Sequence, residues 1–192
     1  MSVDSADELV TALPDTPLVR EAREVIEKAA PRQLVDHSIR SFLFGRAYGR
    51  ARGIDCNEED LLVAALFHDL GFCPDYRDPR SPFPVVGSRA MRAFLTERGV
   101  AADRIAPMVD AIDFHMRMRL QIARGPAAAL LQAGAWMDIT GLRRGRVRGQ
   151  ARAIEAAYPR GDIRTRFYRL LFGSFGSVGA CVGVFFPGRY RD

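Results

Sequence analysis

The stretch Leu62-Val63-Ala64-Ala65-Leu66-Phe67-His68-Asp69-Leu70-Gly71 decides how this chain is read. Six apolar residues in succession belong in a protein interior, and at their end an imidazole and a carboxylate stand side by side. A carboxylate carried into a core needs a partner, and a bound cation is the partner that also employs the adjacent imidazole. Asn57, ahead of the run, is a good N-cap, so the run reads as a helix that carries Leu61 to Leu70 until Gly71 terminates it.

Outward from this helix the chain reads as helix after helix, with almost no period-two alternation that would argue for strands. Upstream, Thr16-Pro17 opens a first helix that ends before Pro31, and a second runs from about 33 to 52 and stops at Gly53. Downstream, residues 72–84 hold Pro74, Pro79, Pro82 and Pro84 together with Asp75, Tyr76 and Asp78, which makes a loop expected to be ordered against the site. Further helices are expected at about 85–98, 101–120, 126–141, 146–157 and 162–172, separated by Gly99, Gly125-Pro126, Gly145, and Pro159 with Gly161. The fold class is therefore all-α, a single compact helical bundle over 1–192 with its core at about 17–172 and a Gly-rich apolar tail at 173–192.

A chain of 192 residues with 48% hydrophobic content supports one sizeable core. Its net charge is +5, but the basic residues are spread along the sequence, and all 28 except Lys28 are Arg. Basicity of that kind reads as genomic coding bias rather than as a nucleic-acid surface. The dense stretch Arg143-Arg144-Gly145-Arg146-Val147-Arg148 lacks interleaved aromatics and reads as a solvated helix start. Cys56, Cys73 and Cys181 are odd in number and show no CxxC spacing, so a reducing cytoplasm is expected. The acidic N-terminus does not resemble a secretory signal. The uncharged stretch from Leu171 to Phe186 is broken by four glycines and is too short to span a bilayer, so the tail is expected to pack on the core or on a second copy of the chain in a homo-oligomer.

The only histidines are His37, His68 and His115, each inside an apolar or amphipathic stretch. Small residues stand one turn before three of the polar candidates: Ala64 and Ala65 before His68, Ala111 before His115, and Gly134 and Ala135 before Asp138. Such residues let helices approach closely and leave room in front of a polar head, as a site between packed helices requires. Each candidate taken alone reads more readily as a hydrogen-bonded core residue or a cap. Together His37 and His68 with Asp69 and Asp138 make a donor set suited to zinc, iron(II) or manganese(II), with positions left open for water.

In the order His37-Ser38-Ile39-Arg40, His68-Asp69 at the end of an apolar helix, and Asp138 on a later helix, the chain resembles the HD-domain metalloenzymes. More narrowly it resembles their cyanamide hydratase-like branch. That likeness is carried by those residues with Ala64 to Gly71, Ala111-Ile112-Asp113-Phe114-His115, Leu130 to Asp138 and Tyr158-Pro159-Arg160, over about residues 33–160. The resemblance implies one divalent metal, zinc foremost, held by His37, His68, Asp69 and Asp138, with His115 on the substrate side. Phe72-Cys73 stand where a cyanamide-specific site would carry small hydroxyl residues. The absence of a Lys after the HD-x-Gly turn and of further histidines argues against the cyclic-dinucleotide phosphodiesterases of the superfamily.

The expected activity is that of a metal-dependent hydrolase or hydratase adding water to a nitrile- or cyanamide-like C≡N group of a small molecule. Asp69 would ligate and accept the water proton, and His115, held off the metal, would donate a proton to the nitrogen. Arg40 would hold a substrate anion or a ligand carboxylate, and Phe72 and Phe114, with Phe83 and Trp136, would flank the substrate. Cys73 reads as a small buried hydrophobe rather than a nucleophile. A nucleotide phosphohydrolase of the same fold and a non-catalytic metal-stabilised regulatory domain are the alternatives; neither nucleic acid nor membrane is expected as a partner.

Overall fold

Residues 11–174 are described by the computed structural model. Among them the chain runs through α1 (Pro17–Ala29), α2 (Arg32–Arg52), α3 (Glu58–Phe67), α4 (Phe83–Glu97), α5 (Ala102–Phe114), α6 (Pro126–Thr140), α7 (Arg148–Ala157) and α8 (Ile163–Ser174). Single 3₁₀ turns lie at Leu70–Phe72, Ile122–Arg124 and Arg144–Val147, and these residues contain no strand, so the all-helical expectation holds. The caps are those the sequence offers. Thr16 accepts a hydrogen bond from the Val19 amide at 3.2 Å, and Asn57 accepts one from the Asp60 amide at 3.1 Å.

α2, α3 and α6 each carry a run buried on every side and together form the interior, α6 from Ala127 to Ala135. In α2 every residue from Leu34 to Gly49 is buried, and in α3 every residue from Leu61 to Phe67. The most extensive pairing in the molecule is α2 against α6. It depends on missing side chains: a Cβ on Gly134 would stand 1.8 Å from the Ser41 carbonyl oxygen, and one on Gly45 would stand 2.5 Å from that of Leu130. The two backbones therefore touch, and the side chains either side of the contact are pulled into one layer. α1 covers α3, α4 and α5 pair with each other and lie against α3, α5 also packs on α6, and α7 and α8 close over α2.

Two helices stop short of the ends that periodicity gives them, and both stop at a histidine. α3 ends at Phe67 rather than continuing to Gly71, because the His68 Nδ1–H donates to the Ala65 carbonyl at 2.7 Å and the next residues turn into the 3₁₀ segment. α5 ends at Phe114 rather than at 120, with the His115 Nδ1–H on the Ile112 carbonyl at 2.6 Å. In each case a ring takes over a carbonyl in the last turn, which caps the helix and fixes the ring. The tail read from 173 starts inside α8, and residues 175–192, with Cys181, lie outside the described residues. Among the described residues no helix is long and apolar enough to cross a membrane.

Candidate metal centre

α2, the turn after α3, the end of α5 and α6 deliver His37, His68 with Asp69, His115 and Asp138 to one buried region. Backbone contacts hold these deliveries in place. A Cβ on Gly87 of α4 would stand 2.4 Å from the Phe67 carbonyl oxygen, so α4 presses directly on the end of α3. Beyond α5, Trp136 Nε1 donates to the His115 carbonyl at 3.0 Å and Gln132 to that of Arg117 at 2.7 Å, which anchors the turn carrying His115 onto α6.

His37 Nε2, His68 Nε2 and Asp69 Oδ2 form a nearly equilateral triangle. The sides are 3.3 Å between the imidazoles and 3.4 Å from each to the carboxylate. Three donors bound to a tetrahedral ion at about 2.0–2.1 Å lie about 3.3–3.4 Å apart, so the triangle has the size of a coordination face. These three residues make up the group of potential metal donors found among the described residues. His115 Nε2 stands beside the triangle, 3.6 Å from the other Asp69 oxygen, Oδ1.

The tautomers follow from the partners. A carbonyl can only accept, so the Nδ1 atoms of His68 and His115 carry hydrogen, and Nε2 is the nitrogen of each ring that can present a lone pair. His37 Nδ1 lies 2.6 Å from Asp138 Oδ2 and donates to it. Both Asp69 oxygens and His115 Nε2 are buried with no hydrogen-bond partner. Buried carboxylate oxygens and a ring nitrogen that no hydrogen bond satisfies, gathered at the size of a coordination face, are what a cation would satisfy, and the residues present therefore fit a divalent metal.

The protonation pattern carries the same charge. Burial pulls the His37 imidazole down, but Asp138 and Asp69 outweigh burial and hold its pKa up at about 9. His68 lacks a close carboxylate on its second nitrogen, and burial takes its pKa down to about 3. Burial opposes ionisation of Asp69 and Asp138, yet the surrounding imidazoles, and Arg40 for Asp138, hold both carboxyls below the usual carboxylate range.

Asp138, which the resemblance implies as a fourth ligand, is not brought into the triangle. It lies on the far side of the His37 ring, where Arg40 grips it from both sides, Nε to Oδ1 and the terminal nitrogen to Oδ2, each at 2.9 Å. Arg40 is fully buried, donates its remaining nitrogen to the carbonyls of Tyr158 and Pro159 at 3.1 and 3.0 Å, and does not line the cavity above the triangle. Of its two expected roles it takes the second, holding a carboxylate. Arg160 reaches the same Asp138 oxygen at 3.2 Å.

Over the triangle opens a cavity of about 140 Å³. His37, His68, Asp69 and His115 form its polar floor, and Met116, Ala135, Trp136, Ile139, Thr140, Phe167 and Tyr168 its walls. Trp136 is thus at the pocket as expected, whereas Phe72 and Phe114 are not among the lining residues. Phe72 is stacked on Phe83 at 3.9 Å, and Phe114 lies beneath the Arg124 guanidinium at 3.4 Å. Phe83 instead meets the His115 ring edge-on at 5.7 Å. Phe167 and Tyr168 come from a helix beyond the motif-bearing span, where apolar spacing alone marks them as core. Burial pushes the Cys73 thiol up to about 11, and the residue is a packed hydrophobe.

A family model described as HD domain matches residues 34–132, half of the chain. The matched span contains His37, His68, Asp69 and His115 and ends ahead of Asp138. No curated protein matches the chain.

Proposed function

The chain belongs to the HD-domain family, whose members are typically metal-dependent hydrolases, and on that premise we propose that it adds water to a small, neutral, nitrile- or cyanamide-like substrate. The observation that supports this reading is the cavity: about 140 Å³, apolar in its walls, with no Lys or Arg among the described residues that line it. An apolar cavity of about 150 Å³ holds one benzene-sized molecule, far less than a nucleotide. The phosphohydrolase alternative finds no arginine or lysine anchor there among the described residues, since Arg40 is committed to Asp138.

His37, His68 and Asp69 would hold the ion, which when bound supplies a water of pKa near 7 as the nucleophile. The rest falls to the protein. Asp69 Oδ1 accepts the proton that the attacking water loses, and His115 Nε2, 3.6 Å away, takes that proton and delivers it to the substrate nitrogen. The new C–O bond forms as one C≡N π-bond opens, and the product tautomerises to an amide or urea. Trp136, Ile139 and Phe167 exclude bulk water and orient the nitrile toward the floor.

The test loads the purified protein with zinc, iron(II) or manganese(II) and compares amide or urea formation from small nitriles and cyanamide with phosphate release from nucleoside monophosphates. Hydration is expected to be the faster reaction with at least one metal. Phosphate release as the sole activity would replace this reading with the phosphohydrolase one, and inactivity of every metal-loaded form toward both panels would favour a regulatory domain.

A further inference from the structure

We infer that Asp138 acts from outside the coordination sphere, positioning His37, and that the ion's protein donors are His37, His68 and Asp69 alone; the inference rests on the metal reading above. Asp138 and an ion occupy opposite ends of one imidazole. With Asp138 Oδ2 at 2.6 Å from His37 Nδ1 and Nε2 in the donor triangle, an ion on Nε2 is separated from Asp138 by the whole ring. A carboxylate on the non-ligating nitrogen is the arrangement that fixes a ligating histidine's tautomer and raises its basicity.

The two buried carboxylates differ in what they have left to give. Asp138 has Oδ1 on Arg40 and Arg160, and Oδ2 on Arg40 and His37. To reach an ion it would have to abandon a bidentate pair and leave the fully buried Arg40 guanidinium without its counter-charge. Asp69 is equally buried and accepts no hydrogen bond on either oxygen. One carboxylate is saturated and the other is open, and the open one completes the triangle. The cavity opens over the triangle, and His115 Nε2 stands there 3.6 Å from Asp69 Oδ1.

Arg160 also pairs with Glu155 of α7 at 2.7 Å, so the clamp on Asp138 extends through Arg160 to α7. Asp138 is therefore a positioning residue whose loss loosens His37 without removing a ligand.

The test uses the full chain loaded with cobalt(II). Asp138→Asn keeps an acceptor for the His37 Nδ1–H; it is expected to bind one ion per chain with the wild-type visible absorption envelope and an affinity lower by about 10–100-fold. Asp69→Asn is expected to take up no stoichiometric ion under the same conditions. In the paramagnetic NMR spectrum the exchangeable His37 Nδ1 proton is expected to persist in Asp138→Asn and to vanish in Asp138→Ala. Should the Asp138 variants fail to fold, the zinc-loaded wild-type crystal structure decides, with Asp138 expected still on His37 Nδ1. An Asp138–zinc bond of about 2.0–2.2 Å overturns the inference. So does a folded Asp138→Asn that loses metal as Asp69→Asn does. A wild-type protein that takes up no metal removes the underlying reading and this inference with it.

Discussion

Asp69 and His115 are neighbours with different work, and substitution separates them. Asp69→Ala removes the one open carboxylate, so metal content and activity are expected to fall together, as measured by elemental analysis beside the hydration assay. His115→Ala leaves the donor triangle intact; it is expected to keep its metal and to lose activity by about 10²- to 10⁴-fold. Loss of metal in that variant would move His115 into the coordination sphere. The histidines also set a pH dependence for the metal-free protein. His37, with a folded pKa of about 9 against 6.5, contributes stability that is complete below pH 6.5 and is lost as pH rises toward 9. His68, with a folded pKa of about 3, works the other way: the unfolded chain takes up its proton first, so stability is lost as pH falls from 6.5 toward 3. From these two residues the metal-free protein is expected to be most stable near pH 6.5, each limb falling by at most about 1.4 kcal/mol per pH unit. Saturating metal holds His37 Nε2 unprotonated and should abolish the alkaline limb, which denaturant titrations across pH with and without metal would show.

At the scale of the helices, the contact of α2 with α6 carries the site, because His37 and Arg40 ride on one and Asp138 on the other. Gly134→Ala would force its methyl against the Ser41 carbonyl, a backbone atom that no rotamer can move aside. The expected cost is about 1–3 kcal/mol or more, a fall of several degrees in Tm, with weakened metal binding as His37 and Asp138 separate. Gly149→Ala in α7 is the control, since a Cβ there meets nothing within 4 Å. It is expected to stabilise by about 0.4–1 kcal/mol. A Gly134→Ala protein with unchanged Tm would mean that the two helices are not in backbone contact. The histidine caps explain the early helix ends: an apolar run reads as helix up to the next glycine, whereas His68 and His115 each spend Nδ1–H on a carbonyl three residues back and stop the helix at themselves.

For the whole molecule, the cluster has at its centre a buried carboxylate whose oxygens accept no hydrogen bond, and metal should act there as a structural ligand as well as a cofactor. Chelation is expected to lower Tm and metal restoration to raise it, by about 4 kcal/mol of stability at a free metal concentration a thousandfold above Kd. Differential scanning calorimetry with and without chelator measures this directly, and an indifferent Tm would argue that the triangle holds no ion. The arginines serve the site from behind, where Arg40 and Arg160 hold Asp138. No Lys or Arg among the described residues lines the cavity, and Arg144 and Arg160 are engaged with Glu155.

The helical class was legible in the chain alone, because N-caps such as Thr16 and Asn57 and unbroken apolar runs are local signals that act within a few residues. The sequence also pointed to His37, His68, Asp69 and Asp138 gathering in one buried region with His115 beside them, since polar groups embedded in apolar helices must find one another or a cation, and all five are buried. What it did not carry is the side from which each group arrives. His37 and Asp138 are 101 residues apart in the chain, and whether that carboxylate meets the ion or the back of the ring depends on the Gly45 and Gly134 contact and on Arg40 drawing Asp138 away. Phe167 and Tyr168 became pocket walls, and Phe72 and Phe114 did not, for the same reason: facing is set by how helices cross, and crossing is decided by packing between segments that the sequence keeps far apart.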